Sequence, residues 1–432
     1  MAATSVLMMT THSFFNAALS RLPSPEIYLA AFAVAKSVMH IFESPIMMVR
    51  QTVSTLVYNR QSYSKVKKFF IIVTLLTVGI MSLVAFTDMS EWLFSQIMGV
   101  EGRVLEEAII IFSVFAFFPA AAALRNFMQG IAVKLDRTPL FTVATFFRLI
   151  YVFILIFLVD KLVFLPGSIF AGLMFFTAVG LEGIVIFTGV KITEKDISGK
   201  IKEKTGGEKA ITHKQKKLTH RYIFRFFWPL IITSIIHMGV APLVNMGLAR
   251  TVSPEIAISA YTVAWNLGIL IISPSFMYHQ QIINFFDKSP AKTAALKKFG
   301  FYIGIIMFLI LALLAFTKAG FFVMCNWIGV SELIAELARD VLRLMVFMPP
   351  IVMAREFYWG ILMKENKTGF VSRGKTINLF SLIVVIIVLL IIMPSNPAII
   401  GALAVIVAES MEALYLFYVV HSRKIVSGSL DI

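Results

Sequence analysis

The chain has 432 residues, of which 59% are hydrophobic and 15% are charged, and its formal net charge is +15. An average soluble protein is about 45–50% apolar and about 25% charged, so this composition excludes a soluble globular domain. Proteins that bind nucleic acid carry their basic patches on soluble folds, so we expect no nucleic-acid partner. The one cysteine, Cys325, excludes an internal disulfide and argues against a cysteine-based metal site.

Long apolar blocks recur along the chain and are separated by polar loops. A helix needs about 20 mostly apolar residues to cross a bilayer, and the blocks reach that length. We therefore predict an all-α polytopic membrane protein with about twelve transmembrane helices. The blocks lie at 1–20, 27–57, 66–88, 105–132, 139–159, 165–190, 222–249, 256–285, 299–317, 333–363, 376–393 and 397–421.

Basic residues are concentrated in alternate loops. Lys67 and Lys68 follow the second block, Lys134 and Arg137 follow the fourth, and a lysine-rich stretch follows the sixth. Cytoplasmic loops carry this excess, so we predict that both termini are cytoplasmic, in the plasma (bacterial inner) membrane. The first 19 residues lack the positive n-region of a cleavable signal peptide.

The chain contains one pattern twice. Residues 16–27 run from Asn-Ala-Ala-Leu-Ser-Arg into Ser-Pro-Glu-Ile, and residues 245–256 run from Asn-Met-Gly-Leu-Ala-Arg into the same four residues, 229 positions later. The offset then becomes 230 and relates, for example, Gly99 to Gly329 and Pro119 to Pro349. A match this regular indicates a duplicated protein, and parallel repeats of six helices are a known transporter arrangement.

The duplication sets the predicted domains. Residues 1–191 form an N-terminal six-helix bundle, 192–219 a basic cytoplasmic linker, 220–421 a C-terminal six-helix bundle, and 422–432 a cytoplasmic tail. The second copy opens with Trp228-Pro229, whose equivalents would fall ahead of Met1. We therefore expect the first helix to be truncated relative to its partner.

The second apolar block carries ionisable side chains, which cost about 2.5–3.5 kcal/mol each inside a membrane and usually face a cavity or a partner. Lys36, His40 and Glu43 are spaced i, i+4 and i+7 and share one face, and Arg50 follows. They indicate either a charged wall of a substrate cleft or a Lys–Glu pair that packs the bundle. The divergence of the second copy favours the cleft. The equivalent residues there are Trp265, Ile269, Ile272 and His279.

Arg125 and Arg355 occupy equivalent points of the fourth and tenth blocks. Guanidinium groups bind carboxylate and phosphate bidentately, so a pair of arginines entering one cleft would suit an anionic substrate. The alternatives are snorkelling to the headgroups or pairing with Glu356 and its neighbours. We place Asn245, which opens the second copy of the repeat, in the same substrate pathway.

Glu182, Glu409 and Glu412 lie in the sixth and twelfth blocks, and the last two share a helix face. A buried carboxylate with a raised pKa can carry protons, so these residues are candidates for proton or cation coupling. Pairing with the basic residues described above is the alternative, and we prefer it for these three carboxylates.

Prolines interrupt equivalent helices of the two copies, at Pro45 and Pro274 and at Pro119 and Pro349, and Pro242 interrupts the seventh. Proline removes a backbone hydrogen bond and kinks a helix. Matched interruptions in two halves point to the substrate site of a transporter, although kinks that only shape the packing are the alternative.

The sequence contains no motif that predicts catalysis or cofactor binding. Residues 369–376 satisfy the P-loop spacing literally, but they follow an apolar helix, whereas that loop needs a preceding strand. We also find no catalytic triad and no metal-ligand spacing. We therefore predict that the protein is not an enzyme and has neither a cofactor nor a metal.

Several segments together carry a resemblance to a known family. They are Phe-Trp-Pro-Leu at 227–230, Pro-Leu-Val-Asn at 242–245, Phe-Met-Pro at 347–349, Gly-Ile-Leu-Met at 360–363 and Ala-Glu-Ser-Met at 408–411. The chain resembles the progressive ankylosis protein family over most of its length. That family is similar to the multidrug and toxic-compound extrusion (MATE) transporters of the multidrug/oligosaccharidyl-lipid/polysaccharide (MOP) flippase superfamily.

This resemblance implies two six-helix bundles around a central cleft that opens alternately to either side. In animal members it implies export of pyrophosphate, nucleotide or citrate-like anions. One departure concerns the first helix, where the family carries acidic residues and this sequence has Ser13 and Asn16. That difference puts cation coupling at this site in doubt.

Our reading is a monomeric secondary active transporter in the lipid bilayer that exports an organic or phosphate-type anion, with H+ or Na+ as the candidate coupling ion. In the same fold, the alternatives are a cation-coupled multidrug antiporter for drug-like substrates and a lipid-linked saccharide flippase. A non-transporting membrane scaffold, whose basic linker docks on anionic lipid, is the alternative of another class. Matched helix breaks argue against it, because a scaffold needs none.

Overall fold

A computed structural model describes residues 2–161, 165–193, 218–286, 289–365 and 367–422, and every regular element within these ranges is helical. The α-helices are α1 (Ala2–Leu19), α2 (Pro25–Met47), α3 (Val49–Leu56), α4 (Arg60–Ala85), α5 (Met89–Trp92), α6 (Gly102–Phe115), α7 (Phe118–Lys134), α8 (Pro139–Leu158), α9 (Gly167–Thr193), α10 (His220–Met238), α11 (Val240–Leu248), α12 (Pro254–Ile272), α13 (Tyr278–Phe285), α14 (Pro290–Phe316), α15 (Lys318–Phe322), α16 (Glu332–Met345), α17 (Met348–Lys364), α18 (Thr368–Ile392) and α19 (Ile399–Ser422). The predicted all-α class is confirmed.

Short helical segments of other types connect some of these helices. Val159–Lys161 and Ser273–Met277 are 3₁₀-helical, and Leu93–Ile97 and Val323–Ile328 are π-helical. Most of the predicted linker and tail, at 194–217 and 423–432, lies outside the described residues.

Among the described residues, nine helices are long and apolar enough to cross a membrane, or ten if the pair α6–α7, which is bent by 47°, counts as one span. Two more of the predicted blocks correspond to α1 and to the pair α16–α17. Helices suit this setting because each satisfies its own backbone hydrogen bonds where water is absent.

The duplication is visible in the details of the backbone. Helices α6 and α16 both have 14 residues, and α7 and α17 both have 17. Both copies also contain a π-helical segment ahead of these pairs, closed by a glycine with positive φ, at +73° for Gly99 and +87° for Gly329. Glycine adopts this left-handed conformation without steric cost, which explains why it occurs at both positions.

The chain folds into two compact units that interleave along the sequence. The C-terminal unit comprises Met1–Ala33, Met98–Val100 and Val240–Ile432, and the N-terminal unit comprises Val34–Ile97 and Glu101–Gly239. The opening helix of each copy therefore packs in the unit formed mainly by the other copy. The domain boundaries predicted at residues 191 and 220 come from the sequence repeat and stay a prediction. The two compact units are defined by packing, so they do not test where each copy of the repeat begins and ends.

Specific contacts hold these opening helices. In the C-terminal unit, α1 packs against α12, and just after α1 the carbonyl of Glu26, in the first turn of α2, accepts from the Ser259 hydroxyl of α12 at 2.7 Å. In the N-terminal unit, α10 packs against α4, where the Phe70 and Phe227 rings meet edge to face with centroids 5.2 Å apart. Helix α1 has 18 residues, whereas the α10–α11 pair spans 29.

Candidate functional site

Seven polar side chains meet inside the N-terminal unit. We call them the N-terminal cluster: His40, Glu43, Arg50, Arg125, Gln129, Arg148 and Glu182. They come from α2, α3, α7, α8 and α9. The cluster therefore holds three arginines against two glutamates.

One end of the N-terminal cluster is organised by Glu43, which is 1% exposed. The Nδ1 atom of His40 lies 3.0 Å from Glu43 Oε2, and Arg125 Nη2 lies 3.9 Å from Glu43 Oε1. His40 also packs edge-on against Phe175, whose ring centroid lies 6.0 Å from Lys36 Nζ. The predicted common face of Lys36, His40 and Glu43 is thus observed, and Glu43 pairs with His40 and Arg125.

The other end is organised by Glu182. Arg148 Nη1 donates to Glu182 Oε2 at 2.7 Å, and the Gln129 amide donates to Glu182 Oε1 at 3.5 Å. Arg50 Nη1 in turn donates to Gln129 Oε1 at 3.5 Å. Since Arg50 is exposed and Glu182 is buried, this chain of contacts runs from the surface of the unit into its interior.

Arg125 lies between these two ends and is held loosely. Its nearest carboxylate oxygens, on Glu43 and Glu182, are 3.9 and 3.8 Å away, which is longer than a hydrogen bond. Its Nε is buried and has no hydrogen-bond partner among the described residues. Buried polar groups are normally satisfied, so this guanidinium retains donors that a ligand could use.

A small residue allows the helices to bring these groups together. A Cβ on Gly130 would lie 2.6 Å from the Val53 Cβ, which is closer than real contacts allow. The missing side chain lets α3 approach α7 closely, as small residues do at membrane helix crossings. This approach places Arg50 on α3 beside Gln129 on α7.

The C-terminal unit holds an equivalent group of side chains. We call it the C-terminal cluster: His279, Arg355, Glu356, Lys375, Asn378, Glu409 and Glu412. They come from α13, α17, α18 and α19. This cluster holds two permanent cations against three glutamates, so its charge balance is opposite to that of the N-terminal cluster.

Arg355 is the centre of the C-terminal cluster and is held tightly. It donates from Nη2 to Glu356 at 2.5 Å and from Nη1 to Glu409. On the other side of Glu356, the His279 Nδ1 atom lies 2.5 Å from the second carboxylate oxygen. The Arg355 guanidinium also lies 5.8 Å from the Trp359 ring, within the range of a cation–π contact.

Glu412 completes this cluster and is fully buried. Lys375 Nζ donates to Glu412 Oε2 at 2.8 Å, and the Asn378 amide donates to the same oxygen at 3.0 Å. Asn378 also donates to Glu409 at 3.2 Å. The three glutamates of this cluster therefore each have a cationic partner. Glu409 pairs with Arg355, one of the basic residues named from the sequence. The nearest cations to Glu182 and Glu412 are instead Arg148 and Lys375, which are not among them.

The repeat relates the two clusters position by position. Arg125 corresponds to Arg355 and Glu182 to Glu412, at an offset of 230. The cation that pairs with this glutamate differs in position by one helical turn between the copies. Arg148, the partner of Glu182, corresponds to Asn378, whereas Lys375, the partner of Glu412, corresponds to Thr145. Positions three apart share a helix face, so the cation reaches the glutamate from either position.

The other predicted pathway residues have simpler surroundings. The Asn245 amide is buried and donates to the Ala33 carbonyl at 3.1 Å, inside the C-terminal unit. The prolines lie at or next to interruptions of the helices: Pro45 is near the end of α2, Pro119 and Pro349 are in the first turns of α7 and α17, Pro242 follows the break at Gly239, and Pro274 is in the 3₁₀ segment Ser273–Met277. Their role in transport stays a prediction.

Sequence reasoning missed some members of both clusters. Arg148 lies in the middle of a long apolar block, and the rule that marked Arg125 as costly in a membrane also applies to it. Gln129 and Asn378 carry no charge and gave no signal. Lys375 lies just ahead of the predicted block at 376–393, but in the structure it is part of α18 and donates to Glu412.

In the part of the chain that the structure describes, no group of three or more His, Cys, Asp or Glu side chains could hold a metal ion. The P-loop-like residues 369–376 lie within α18. A helical backbone directs its amides along its axis and cannot form a phosphate loop there.

Comparison with known proteins identifies the fold. The sequence matches no protein-family model and no curated protein. The structure is similar to the inward-facing conformation of a multidrug resistance MATE family transporter of the MOP superfamily, with a TM-score of 0.72, 13% identity, and coverage of 98% of this chain and 97% of that one.

Two further solved structures are similar. The lipid II flippase MurJ, in an inward closed conformation, gives a TM-score of 0.70 at 13% identity and covers 97% of this chain and 87% of its own. A MOP superfamily transporter from Pyrococcus furiosus, described as having a binding pocket of reverse polarity, gives 0.59 at 14% identity, with coverage of 100% and 95%. At these identities the likeness defines the fold, which is that of the MATE and MOP transporters.

Proposed function

We propose that this protein is a secondary active transporter of the alternating-access type, and that its substrate is an organic or phosphate-type anion. The fold supports the class, since its structural neighbours are transporters. The resemblance to the progressive ankylosis family supports the anion. Matched helix breaks near Pro119 and Pro349 support a moving element in each copy.

The observation that carries the choice of an anion is the loose coordination of Arg125. Its carboxylate neighbours are 3.8 and 3.9 Å away, whereas Arg355 donates to Glu356 at 2.5 Å and to Glu409. A phosphate or carboxylate group that approaches this guanidinium gains charge-assisted hydrogen bonds without breaking short ones. Arg50, which is exposed and linked to the same cluster through Gln129, provides a first contact for the anion.

We assign coupling to the C-terminal cluster. Its three glutamates outnumber its permanent cations, and a buried surplus carboxylate is stabilised by binding a proton or Na+. Glu409 is the candidate entry point, because its side chain is 14% exposed whereas that of Glu412 is fully buried. Glu182 is paired directly with Arg148 in the N-terminal cluster, so we propose that it positions the basic side chains of the anion site.

The test is transport by the purified full-length chain in liposomes. Pyrophosphate, citrate and a cationic dye are offered in turn, with and without proton and sodium gradients. We expect flux of one or both anions, and we expect Arg125→Gln to reduce it at least tenfold while Arg103→Gln, at an exposed arginine of α6, leaves it unchanged.

Each other outcome has a meaning. Dye flux without anion flux would replace the anion assignment by a multidrug antiporter, which the negative balance of the C-terminal cluster would suit. Anion flux that both arginine variants preserve would contradict the role of Arg125. Absence of flux for all three solutes, in liposomes where the protein is correctly folded, would contradict the proposal for these substrate classes.

A further inference from the structure

An open groove runs along the surface of the C-terminal unit, and none of its lining residues belongs to either cluster. Its volume is about 570 Å3, and it lies between α14 and α17 with the start of α13 at one end. Aromatic and aliphatic side chains form most of its lining, including Phe301, Phe308 and Phe357. The side chains with polar groups are Lys297, Tyr278 and Tyr358, and the Tyr278 hydroxyl donates to the Leu296 carbonyl at 2.7 Å.

One wall of the groove is α14, a helix that is apolar enough to span a membrane. On α14, Phe301 is 64% exposed and Ile305 is 38% exposed, and α14 is one of the candidate spans. Exposed apolar side chains on a membrane-spanning helix contact lipid. The occupant that reaches this groove directly is therefore a lipid of the bilayer.

Two glycines line the groove, and the first copy has larger residues at both positions. Gly300 and Gly304 lie one turn apart on α14 and line the groove. Their equivalents on α4 are Phe70, which is 3% exposed, and Thr74. A Cβ on Gly304 would have Met353 of α17 as its neighbour at an ordinary 3.4 Å, so this position leaves room in the groove, whereas the space beside Gly300 is taken by the Tyr278 hydroxyl.

The first copy also covers this surface with another helix. Phe227 on α10 packs edge to face on Phe69 and Phe70, with centroids 5.6 and 5.2 Å away. The equivalent positions on α14 are Phe299 and Gly300. Phe299 is 48% exposed and Gly300 lines the groove, so a surface that is packed in one unit is open in the other.

Charge indicates what kind of lipid fits. Lys297 is exposed and lines one end of the groove, near the start of α14. Lys292 and Lys298 lie on the same first turns of this helix. Basic residues at the edge of a membrane span attract anionic headgroups. From Lys297 to Phe308 the helix extends about 16 Å, at about 1.5 Å per residue, so an acyl chain lying along it would have its headgroup at the lysine end.

We propose that this groove binds one anionic phospholipid, with an acyl chain between α14 and α17 and the phosphate paired with Lys297. Apolar burial is not the source of the preference, because the tails are already in an apolar solvent. The shape of the groove selects an acyl chain, and Lys297 selects the anionic headgroup. The site is independent of the transport proposal, since it shares no residue with either cluster.

The test uses the purified full-length chain and native mass spectrometry. Detergent-solubilised protein is equilibrated with phosphatidylglycerol and phosphatidylcholine of identical acyl chains, and retained lipid is counted. We expect one phosphatidylglycerol to be retained. Gly304→Leu fills the groove, and its Cβ meets Met353 at an ordinary 3.4 Å, so we expect the variant to fold and to lose the lipid. Lys297→Gln should lower the preference for phosphatidylglycerol roughly fivefold.

Matched controls come from the first copy. Thr74→Leu and Lys67→Gln are made at the positions equivalent to Gly304 and Lys297, and we expect neither to change the retained lipid. Unchanged retention in Gly304→Leu would overturn the site, and equal effects of Lys297→Gln and Lys67→Gln would overturn the headgroup assignment. A dimer that Gly304→Leu dissociates would assign the groove to a second copy and would also overturn the proposal.

Discussion

The N-terminal and C-terminal clusters occupy equivalent positions of a duplicated chain, yet they hold their central arginines differently. Arg355 donates to Glu356 at 2.5 Å and to Glu409, whereas the nearest carboxylates to Arg125 are 3.8 and 3.9 Å away. One cluster has more cations than anions and the other has the reverse. The two copies have therefore kept the central arginine and the buried glutamate of each cluster at equivalent positions, while the charge balance of the clusters has diverged.

A few substitutions account for this divergence. The equivalent of Glu356 in the first copy is Asn126, which donates to the Ile46 carbonyl at 3.0 Å and carries no charge. The equivalent of Glu409 is Val179, which is buried. These two changes remove both of the tight partners that Arg355 has. Arg125 is loose because its copy lacks those carboxylates.

The largest expected effect is that of Arg355→Gln. The change leaves Glu356 and Glu409 buried without their shared cation, and breaking a buried pair from one side costs about 3–5 kcal/mol. Arg125→Gln should cost about 1–2 kcal/mol, because Glu43 keeps His40 and Glu182 keeps Arg148. Equilibrium unfolding of the detergent-purified variants in SDS measures both. Equal costs would show that the two arginines are held alike.

The next effect tests whether the cation has moved by one turn between copies. Arg148→Asn should cost about 2–3 kcal/mol, because Glu182 loses its 2.7 Å partner and keeps only the distant Arg125 and the long 3.5 Å hydrogen bond from Gln129. Adding Thr145→Lys places the cation where Lys375 lies in the second copy, and should restore at least half of that free energy of unfolding. The same SDS titration is the readout. A double variant no more stable than Arg148→Asn would contradict the equivalence.

A smaller effect tests whether the close helix crossing at Gly130 is also present at Gly360 in the second copy. A Cβ on Gly130 would lie 2.6 Å from Val53. At the equivalent positions of the second copy, a Cβ on Gly360 would lie 2.5 Å from Ile282. We expect Gly130→Ala and Gly360→Ala each to cost about 1–3 kcal/mol through overpacking. Gly79→Ala is the control, because a Cβ there has open space. A cost in one copy alone would mean that the helix crossings have diverged.

The smallest effect concerns the prolines at the helix breaks. Pro119 and Pro349 lie in the first turns of α7 and α17, where proline is compatible with the helix. Replacing either with alanine should change the free energy of unfolding by less than about 1 kcal/mol, by widening the unfolded ensemble. Matched small values for the two variants are the expected result, and a loss above about 2 kcal/mol for either would contradict a merely local role.

Much of this architecture could be predicted from the sequence, because a bilayer imposes strong patterns. The apolar blocks match helices such as α8 and α14, and the repeat matched Gly99 with Gly329, the two glycines that follow the π-helical segments in the structure. Buried ionisable residues were also visible, because a charge such as Arg125 inside an apolar block is rare.

Other features depend on tertiary packing. The pairing of Arg355 with Glu409 on α19, and the role of Asn378 between two glutamates, depend on helix rotation. Helical period alone does not specify that rotation between segments distant in sequence. The packing of α1 with α12 likewise has no local signal, since both helices are apolar along most of their length.

The most direct test of the account is binding of pyrophosphate to the purified protein by isothermal titration calorimetry. The account places the anion at the loosely held arginine of the N-terminal cluster. It therefore predicts that Arg125→Gln weakens binding at least tenfold, since a hydrogen bond to a charged group contributes about 1.5–3 kcal/mol, whereas Lys375→Gln in the C-terminal cluster changes it less than twofold. Undiminished binding by Arg125→Gln, or an equal loss in Lys375→Gln, would contradict the account.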